Sequence, residues 1–270
     1  MLHHPVPEGK GTHFAMGRLS MFLREHYREY GTRGCILKYD IRHYFDSIDH
    51  GVLKQRLRPI PDRNVPGLLY HIIRSCVKEH DPVTGAGKGL PMGNQTSQWF
   101  ALYYLDPMDR LIKEKQRIRH YIRCMDDGIL IHESKEVLQQ ALEEMRKLVT
   151  ELKLEFNQKT QIFPLSQGVD FVGFRFYLTE TGKVIRRLRT SNKRRWKRRL
   201  KKFREEYRNG EKDIQEISQS IRSYSGHLSY GHTWKLNKKV MRNFVLTKAP
   251  KERRNSAAGA EQPDMGGEGT

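Results

Sequence analysis

The sequence CMDDGILI, residues 124–131, places two adjacent aspartates, Asp126 and Asp127, between apolar residues. One interpretation is a β-hairpin turn, because residues 121–125 and 128–131 have the pattern of strands and Asp-Gly between such runs is a strong turn signal. The other is a metal site, since adjacent carboxylates repel each other and a divalent cation relieves that repulsion. A third carboxylate brought to the same place would favour the metal site.

The composition points to a polyanionic partner. The 270 residues include 50 Lys and Arg against 31 Asp and Glu, a net charge of +19, which is typical of proteins that bind nucleic acid or a membrane surface. Three dispersed cysteines predict neither a disulfide framework nor a zinc module, and they fit a reducing, cytoplasmic location. No apolar run approaches the ~20 residues that span a bilayer, so no membrane partner is predicted.

The third carboxylate is Asp40, in the sequence KYDIRHYFDSIDH of residues 38–50. Apolar residues flank it in a predicted strand. If this strand lies beside the aspartate hairpin, three carboxylates converge at one strand end and form a site for two metal ions. Asp46 and Asp49 lie at the start of the next helix, where carboxylates satisfy free backbone N–H groups, so we interpret them as helix caps.

The order of predicted elements indicates an α+β fold. Helical periodicity marks residues 14–30, 47–57, 67–80, 94–115, 134–152, 191–207 and 214–224. Strand patterns mark residues 35–41, 120–132 as a hairpin, 156–163, 169–178 and 183–189. Pro107 is expected to kink or restart its helix. The last third of the chain is helical and basic, so we expect an α+β body with a small helical appendage.

A glycine-rich loop precedes one of these helices, in the sequence GKGLPMGNQTSQW of residues 87–99. Gly89 and Gly93 permit close backbone approach to a ligand, and Asn94 is predicted to cap a helix whose first residues, up to Gln98, face a nucleotide. Such a loop alone is weak evidence. In the order aspartate strand, glycine-rich loop with helix, and double-aspartate hairpin, it favours a nucleotide-binding site.

These segments resemble the ordered motifs of bacterial group II-like reverse transcriptases: DIRHYFDSIDH, GLPMGNQTSQWFALYYLD, CMDDGILI, FNQKTQ and VDFVGFRFYL. The resemblance covers roughly residues 10 to 245, and SYSGHLSYGHTWKL resembles the thumb. It implies a right-hand polymerase palm, an antiparallel sheet with packed helices, beside partial fingers and a small helical thumb. The implied domains are residual fingers at 1–34, the palm at 35–180, a basic helical thumb at 181–248 and a disordered tail at 249–270.

The resemblance also implies roles for individual residues. Asp40, Asp126 and Asp127 match the catalytic metal ligands, which hold two Mg²⁺ ions, with Mn²⁺ as an alternative. The dNTP-binding positions are Phe45, Pro91, Met92, Gly93 and Lys159. A ring at position 45 matches a steric gate that clashes with a ribonucleotide 2′-OH, and plain core packing is the other interpretation. Lys159 matches a family lysine that assists pyrophosphate departure, and the other interpretation is a solvated surface lysine.

The basic helix over 191–207 is predicted to bind nucleic acid. Its aromatic and aliphatic residues follow one helical stripe, so one face packs while the other carries a single sign of charge. The residues expected to contact nucleic acid are Gln98, Arg194, Arg195, Lys197, Arg198 and Lys201. Because these contacts would be to phosphates, binding should weaken steeply with salt.

The segment MGNQTSQ is similar to the second motif of diversity-generating retroelement enzymes, a form associated with error-prone copying opposite template adenines. This subtype implies a small basic accessory protein as a partner. An apolar residue in place of the usual Gln removes a hydrogen bond near the nascent base pair, which weakens discrimination against mispairs. Met92 departs from the Ile, Val or Leu usual there, and Cys124 replaces the family's aromatic residue before the aspartates.

The expected function is therefore RNA-directed DNA polymerisation: dNTPs are added to a primer 3′-end on an RNA template by two-metal nucleotidyl transfer, in a retroelement. The chain begins within the fingers of the family pattern, so we expect an N-terminally truncated enzyme. Two alternatives stay open. One is a catalytically impaired fragment that only binds nucleic acid, and the other is an intron maturase.

Overall fold

A computed structural model describes residues 11–59, 64–75, 77, 79–80, 87–91 and 93–248. The α-helices in these ranges are α1 (Thr12–Tyr30), α2 (Tyr44–Ser47), α3 (His50–Leu57), α4 (Val65–Ser75), α5 (Gln95–Tyr104), α6 (Asp106–Arg110), α7 (Lys135–Glu151), α8 (Thr190–Arg208), α9 (Ile214–Leu228) and α10 (Trp234–Arg242). The strands are β1 (Cys35–Asp40), β2 (Glu79–His80), β3 (Gly87–Lys88), β4 (His120–Cys124), β5 (Asp127–His132), β6 (Gln161–Pro164), β7 (Val169–Phe171), β8 (Phe174–Leu178) and β9 (Val184–Leu188).

The central sheet is antiparallel, with the strand order β4-β5-β1-β6. Successive side chains of a strand point to opposite sides, so the sheet has two apolar faces. Leu37 and Tyr39 belong to the core covered by α5, α6 and α7. Ile36, Ile129 and Ile131 belong to the core covered by α1 and a second sheet. Burial on both faces sets the register of β1 against its neighbours, since a one-residue slip would exchange the two faces.

The second sheet consists of β7, β8 and β9 in sequential antiparallel order. The prediction of one strand over 169–178 is wrong, because the chain reverses direction in the middle of this apolar run. Val172 and Gly173 form the turn with φ angles of 45° and 84°. Two consecutive residues with positive φ are the signature of the tightest hairpins. The predicted partner strand over 183–189 is present as β9.

The aspartate hairpin joins β4 to β5 through a turn at Met125 and Asp126. Met125 has a φ of 59°, as hairpin turns of this length require. The strands predicted over 121–125 and 128–131 placed the turn at residues 126–127, one residue too late, because Asp127 and Gly128 already pair with the end of β4. Gly128 is required for packing, since a Cβ at this position would overlap the ring of Tyr39.

The helix expected to begin at Ser47 is α3, which begins three residues later, at His50. Asp49 is the cap of α3, and its carboxylate accepts a hydrogen bond of 2.9 Å from the Val52 backbone N–H. The prediction that Asp49 caps a helix is thus confirmed. Asp46 is not a cap, because it lies within the first turn of the short helix α2.

Three further boundaries differ from the predictions. The helix expected over 67–80 ends at Ser75, because Glu79–His80 pairs with β3 instead. The strand expected over 156–163 is reduced to Gln161–Pro164. Asn94 precedes α5 as predicted, but its side chain makes no capping hydrogen bond. The expected restart at Pro107 is confirmed by the break between α5 and α6.

The three C-terminal helices share a small core of their own. Trp196, Leu200 and Phe203 of α8 pack with Ile217 of α9, which confirms the predicted apolar stripe. Cys35 and Cys124 are free thiols. None of the described helices is long and apolar enough to cross a membrane. The predicted tail at 249–270 lies outside the described residues.

We expect Gly128→Ala to lower the free energy of unfolding by about 1–3 kcal/mol, because the added methyl group displaces the Tyr39 ring from a packed core. Gly17→Ala is the matched control. Gly17 lies exposed in α1, and a methyl group added there would contact no neighbouring side chain, so the change should stabilise the helix by about 0.5–1 kcal/mol. Urea denaturation measures both, and equal effects of the two substitutions would contradict the packing argument.

Candidate active site

Three aspartates meet at one end of the central sheet. Asp40 is the last residue of β1, and it is directly opposite Asp127, the first residue of β5. Opposed residues of antiparallel strands have their side chains on the same face of the sheet. Asp126 precedes Asp127 in the turn. The structure therefore brings together the three carboxylates that the sequence singled out.

The electrostatics of this cluster are unfavourable without a cation. Burial raises the pKa of the Asp127 carboxyl to about 6; the charges of Asp40 and Asp126 add to this effect and Lys38 opposes it. Burial also raises the pKa of Asp126, and the charge of Asp40 acts in the same direction. Oδ1 of Asp127 is buried and makes no hydrogen bond. The cluster therefore holds negative charge that the surrounding protein neutralises only in part.

These properties fit a divalent cation whose coordination is completed by the substrate. Within the described ranges, no three Asp, Glu, His or Cys side chains are arranged to hold a metal ion by themselves. Mg²⁺ commonly binds through one or two carboxylates together with substrate phosphates and water, so a complete protein cage is not required. Asp40 and Asp127 also line one cavity of about 390 Å³, which provides space beside the carboxylates.

Lys38 is a member of this site that the sequence argument missed. Its Nζ lies 3.2 Å from Oδ2 of Asp127 and donates a 2.8 Å hydrogen bond to the backbone carbonyl of Asp170 in β7. The sequence signal was available, because a lysine two residues before Asp40 on the same strand must share its face of the sheet. Its partners, however, come from distant parts of the chain.

A buried polar network supports the aspartate turn from β4 and α6. Arg123 and Asp109 form an ion pair whose side chains are only 3% and 6% exposed. The hydroxyl of Tyr121 donates a 2.6 Å hydrogen bond to Asp109, and it lies 2.8 Å from the hydroxyl of Tyr39. Arg123 Nη1 also donates to the Met125 carbonyl at 2.8 Å. This network holds the turn that carries Asp126, and sequence reasoning did not predict it.

The predicted nucleotide residues lie in two places. Lys159 is exposed and lines the same cavity as Asp40 and Asp127. Phe45 is partly buried against the larger core, and its carbonyl accepts a 2.7 Å hydrogen bond from the Leu90 N–H, which ties α2 to the glycine-rich loop.

In that loop, Pro91 is half-buried, while Gly93 is exposed with a φ of 101° that only glycine adopts readily. Met92 lies outside the described residues. Gln98 is exposed on α5.

The predicted phosphate-binding side chains are exposed along α8: Arg194, Arg195, Lys197, Arg198 and Lys201. Lys197 and Lys201 also line a groove of about 280 Å³ between α8 and α10, together with Lys193, Arg204 and Lys239. The cations form one-sided positive surfaces because the apolar stripe of α8 faces inward.

A family model described as "Reverse transcriptase (RNA-dependent DNA polymerase)" matches residues 4–176. The chain belongs to this reverse transcriptase family. The predicted fold class, an α+β polymerase palm with an antiparallel sheet and packed helices, is confirmed. The matched range includes all three aspartates and ends before α8. No match was found among curated proteins.

One solved telomerase structure supports the same fold. A telomerase from Candida albicans, in complex with a fragment of telomeric RNA, has a TM-score of 0.50 and 15% identity, and the match covers 64% of this chain and 33% of that chain. A Candida tropicalis telomerase in the corresponding complex has a TM-score of 0.48, 15% identity and coverages of 64% and 33%. This reverse transcriptase chain thus spans about a third of the telomerase chains.

We expect Asp127→Asn to stabilise the metal-free protein at pH 7 by about 1–3 kcal/mol, after allowance for the partial exposure of this carboxyl. The pKa of Asp127 is about 6 in the folded protein and near 4 in the unfolded chain, so folding favours the protonated carboxyl. The resulting contribution to the free energy of unfolding is complete below about pH 4 and is lost as the pH rises towards 6. The difference between the variant and the wild type should therefore grow across this window.

Thermal unfolding in EDTA between pH 4 and 8 measures this difference. Added Mg²⁺ should raise the melting temperature of the wild type and have little effect on the variant, because a ligand stabilises only the state that binds it. A Mg²⁺ response of equal size in both proteins would exclude Asp127 as a ligand.

We expect Asp109→Asn to lower the free energy of unfolding by about 3–5 kcal/mol, because the buried charge of Arg123 loses its partner. Asp106→Asn is the matched control in the same helix. Asp106 pairs with Arg110, whose side chain is 68% exposed, so its loss should cost about 1 kcal/mol or less. Chemical denaturation measures the free energy of unfolding of both variants. Equal losses of stability would contradict the claim that the buried ion pair matters more than the exposed one.

Proposed function

We propose that this chain is an RNA-directed DNA polymerase that adds dNTPs to a primer 3′-end on an RNA template. The observation that carries the proposal is the pairing of Asp40 with Asp127 across β1 and β5, with Asp126 next to them, at one end of the palm sheet. Membership of the reverse transcriptase family supports it. The partly uncompensated charge of the cluster supports a role for divalent cations.

In the proposed reaction, Asp40, Asp126 and Asp127 would hold two Mg²⁺ ions, with Mn²⁺ as an alternative. When bound, such ions activate the attacking 3′-hydroxyl and neutralise charge on the transferred phosphoryl group and the leaving pyrophosphate. The carboxylates contribute their negative charge and their fixed separation across two strands. A rigid sheet suits this role because small displacements of catalytic groups reduce rates strongly.

Five residues are proposed to form the dNTP site. Lys159 would contact the phosphates and assist pyrophosphate departure, and its position in the cavity beside the aspartates supports this role. Phe45 would exclude a ribonucleotide 2′-OH, and its hydrogen bond to the glycine-rich loop supports this placement. Pro91, Met92 and Gly93 would line the same pocket.

Nucleic acid is proposed to bind along α8 and at Gln98. The exposed cations of α8 would contact phosphates, and Gln98 would contact the template near the site. On this assignment residues 1–34 are residual fingers, 35–180 the palm, 181–248 the thumb and 249–270 a tail. The packing of α8, α9 and α10 around a separate small core supports a distinct thumb.

The retroelement assignment rests on sequence. The segment MGNQTSQ favours a diversity-generating or closely related group II-like enzyme, with error-prone copying and a small basic accessory protein. The cytoplasmic location rests on the three dispersed cysteines. Fidelity measured opposite template adenines would distinguish this subtype from a faithful polymerase.

The purified chain should extend a primed RNA template with dNTPs in the presence of Mg²⁺, and the double variant Asp126→Ala, Asp127→Ala should lose this activity by at least about a thousandfold. Glu143→Gln, an exposed change on α7, is the control and should retain full activity. Binding of primed template without extension by wild type would instead support the nucleic-acid-binding fragment.

We expect Lys197→Gln with Lys201→Gln to weaken primer–template binding and to reduce the slope of log K against log salt by about 1–2 units, because each lost phosphate contact releases one counterion fewer. Lys135→Gln with Lys147→Gln, both exposed on α7, is the control of equal charge and should leave the slope unchanged. Fluorescence anisotropy at several salt concentrations measures both. An unchanged slope in the α8 variant would exclude this surface.

A further inference from the structure

Lys38 lies between the aspartate cluster and the second sheet. It occupies the central strand β1, where it is paired with Ile129 of β5 and Gln161 of β6. Its side chain is 25% exposed, and its ammonium group contacts two parts of the protein: the carboxylate of Asp127 at 3.2 Å and the backbone carbonyl of Asp170 at 2.8 Å. A lysine held at both sides in this way is not a solvated surface charge.

The two carboxylate oxygens of Asp127 have different surroundings, because Lys38 contacts only one of them. Oδ2 faces Lys38, whereas Oδ1 is buried and has no hydrogen-bond partner. A buried carboxylate oxygen without a partner is costly unless something charged binds it. Lys38 thus engages one oxygen of Asp127, and the other oxygen has no hydrogen-bond partner of its own.

The same lysine begins a chain of charged groups that leads to α8. The carboxylate of Asp170 pairs with Arg189 at 3.1 Å and with Arg175 at 3.6 Å. Arg189 immediately precedes α8, and its backbone N–H donates a 3.2 Å hydrogen bond to the carbonyl of Gly173. Asp127 is therefore connected to Arg189, the residue before the basic helix, through Lys38 and Asp170, and Lys38 contacts Asp170 at its backbone carbonyl.

We propose that Lys38 is a positioning residue that orients Asp127 for metal binding and ties the aspartate cluster to β7, whose Asp170 pairs with Arg189 at the start of the basic helix. The inference deepens the proposed polymerase function and rests on it. Lys38 acts through Asp127 and needs no contact with substrate. Its positive charge partly offsets the three carboxylates, so it also limits how tightly they bind a cation.

This arrangement predicts opposite changes in two measured quantities. Lys38→Met keeps the length of the side chain and removes its charge, so the cluster becomes more negative. Affinity for Mn²⁺ should rise about tenfold, as expected for the removal of a like charge a few ångströms from the ion. The value of kcat should fall about 10- to 100-fold, because Asp127 loses the contact that orients it. A residue needed only for folding would not tighten metal binding.

The experiment uses the full chain with Mn²⁺ as the probe, read by electron paramagnetic resonance in the absence of substrate. Thermal unfolding and primer extension on an RNA template, with kcat and KM for dNTP separated, are measured on the same preparations. Lys183→Met, an exposed lysine just before β9, is the control of identical chemistry and should leave all three measurements unchanged. Lys38→Arg retains the charge and should keep the wild-type Mn²⁺ affinity.

A second variant tests the connection to α8. Arg189→Gln removes the pairing with Asp170 but leaves the contact between Lys38 and Asp127 in place. It should change Mn²⁺ affinity less than twofold and lower kcat about threefold to tenfold, a smaller loss than that of Lys38→Met. A wild-type kcat for Arg189→Gln would remove the connection to the basic helix from the proposal.

The outcomes separate this inference from the polymerase proposal. If Lys38→Met binds Mn²⁺ no more tightly than the wild type, or if it loses only thermal stability, the role of Lys38 is overturned whatever the activity of the wild type. If the wild type binds Mn²⁺ but does not extend a primer, the polymerase proposal fails and the metal affinities still decide how Lys38 acts on Asp127. If the wild type binds no Mn²⁺, both are overturned.

Discussion

The antiparallel pairing of β1 with β5 is the constraint on which the candidate site depends. It places Asp40 opposite Asp127 and brings Asp126 beside them, although like charges at this distance repel. The pairing persists because both faces of these strands are buried in apolar cores, so no shift in register can separate the carboxylates without exposing the cores. Hydrophobic burial thus holds an electrostatically unfavourable arrangement, which a divalent cation would relieve.

Two buried or half-buried cations approach the aspartate hairpin from different directions, and they have different consequences. Arg123 is fully paired with Asp109 and holds the backbone of the turn, so its charge is neutralised within the network. Lys38 instead faces Asp127 itself and lowers the net charge of the cluster. One cation therefore stabilises the geometry of the turn, while the other acts directly on the electrostatics of the carboxylates. Together they explain how the protein tolerates the cluster before any metal binds.

The reverse transcriptase match covers residues 4–176, whereas most of the net positive charge lies beyond it, largely on α8 and α10. A self-repelling surface of this kind is stable because the apolar stripe of α8 packs against α9. In the proposed function these two parts would have complementary roles, because the negative cluster would attract cations and the positive surface would attract nucleic acid. The ion pairs of Asp170 with Arg175 and Arg189 lie between them.

The sequence by itself determined the fold class, the order of most elements, the three aspartates and the charged face of α8. These features follow from local periodicity and from residue types within a few positions of one another. It placed the hairpin turn one residue too late and treated 169–178 as one strand, because the pattern of apolar residues does not show where the backbone takes positive φ. Nor does the local pattern show why position 128 must be glycine, because the ring that a side chain would overlap belongs to Tyr39 on the neighbouring strand.

Only the tertiary structure decided the partners of Lys38 and Arg123. Lys38 and Asp170 are 132 residues apart in the chain, and Tyr39 and Tyr121 are 82 apart, so no local pattern connects them. Such contacts form when apolar segments from distant parts of the chain pack together. The polar groups that become buried in this way then need hydrogen-bond partners among the residues that packing brings close. The candidate ligands could therefore be predicted from the sequence, whereas the residues that hold them in place became evident from the folded chain.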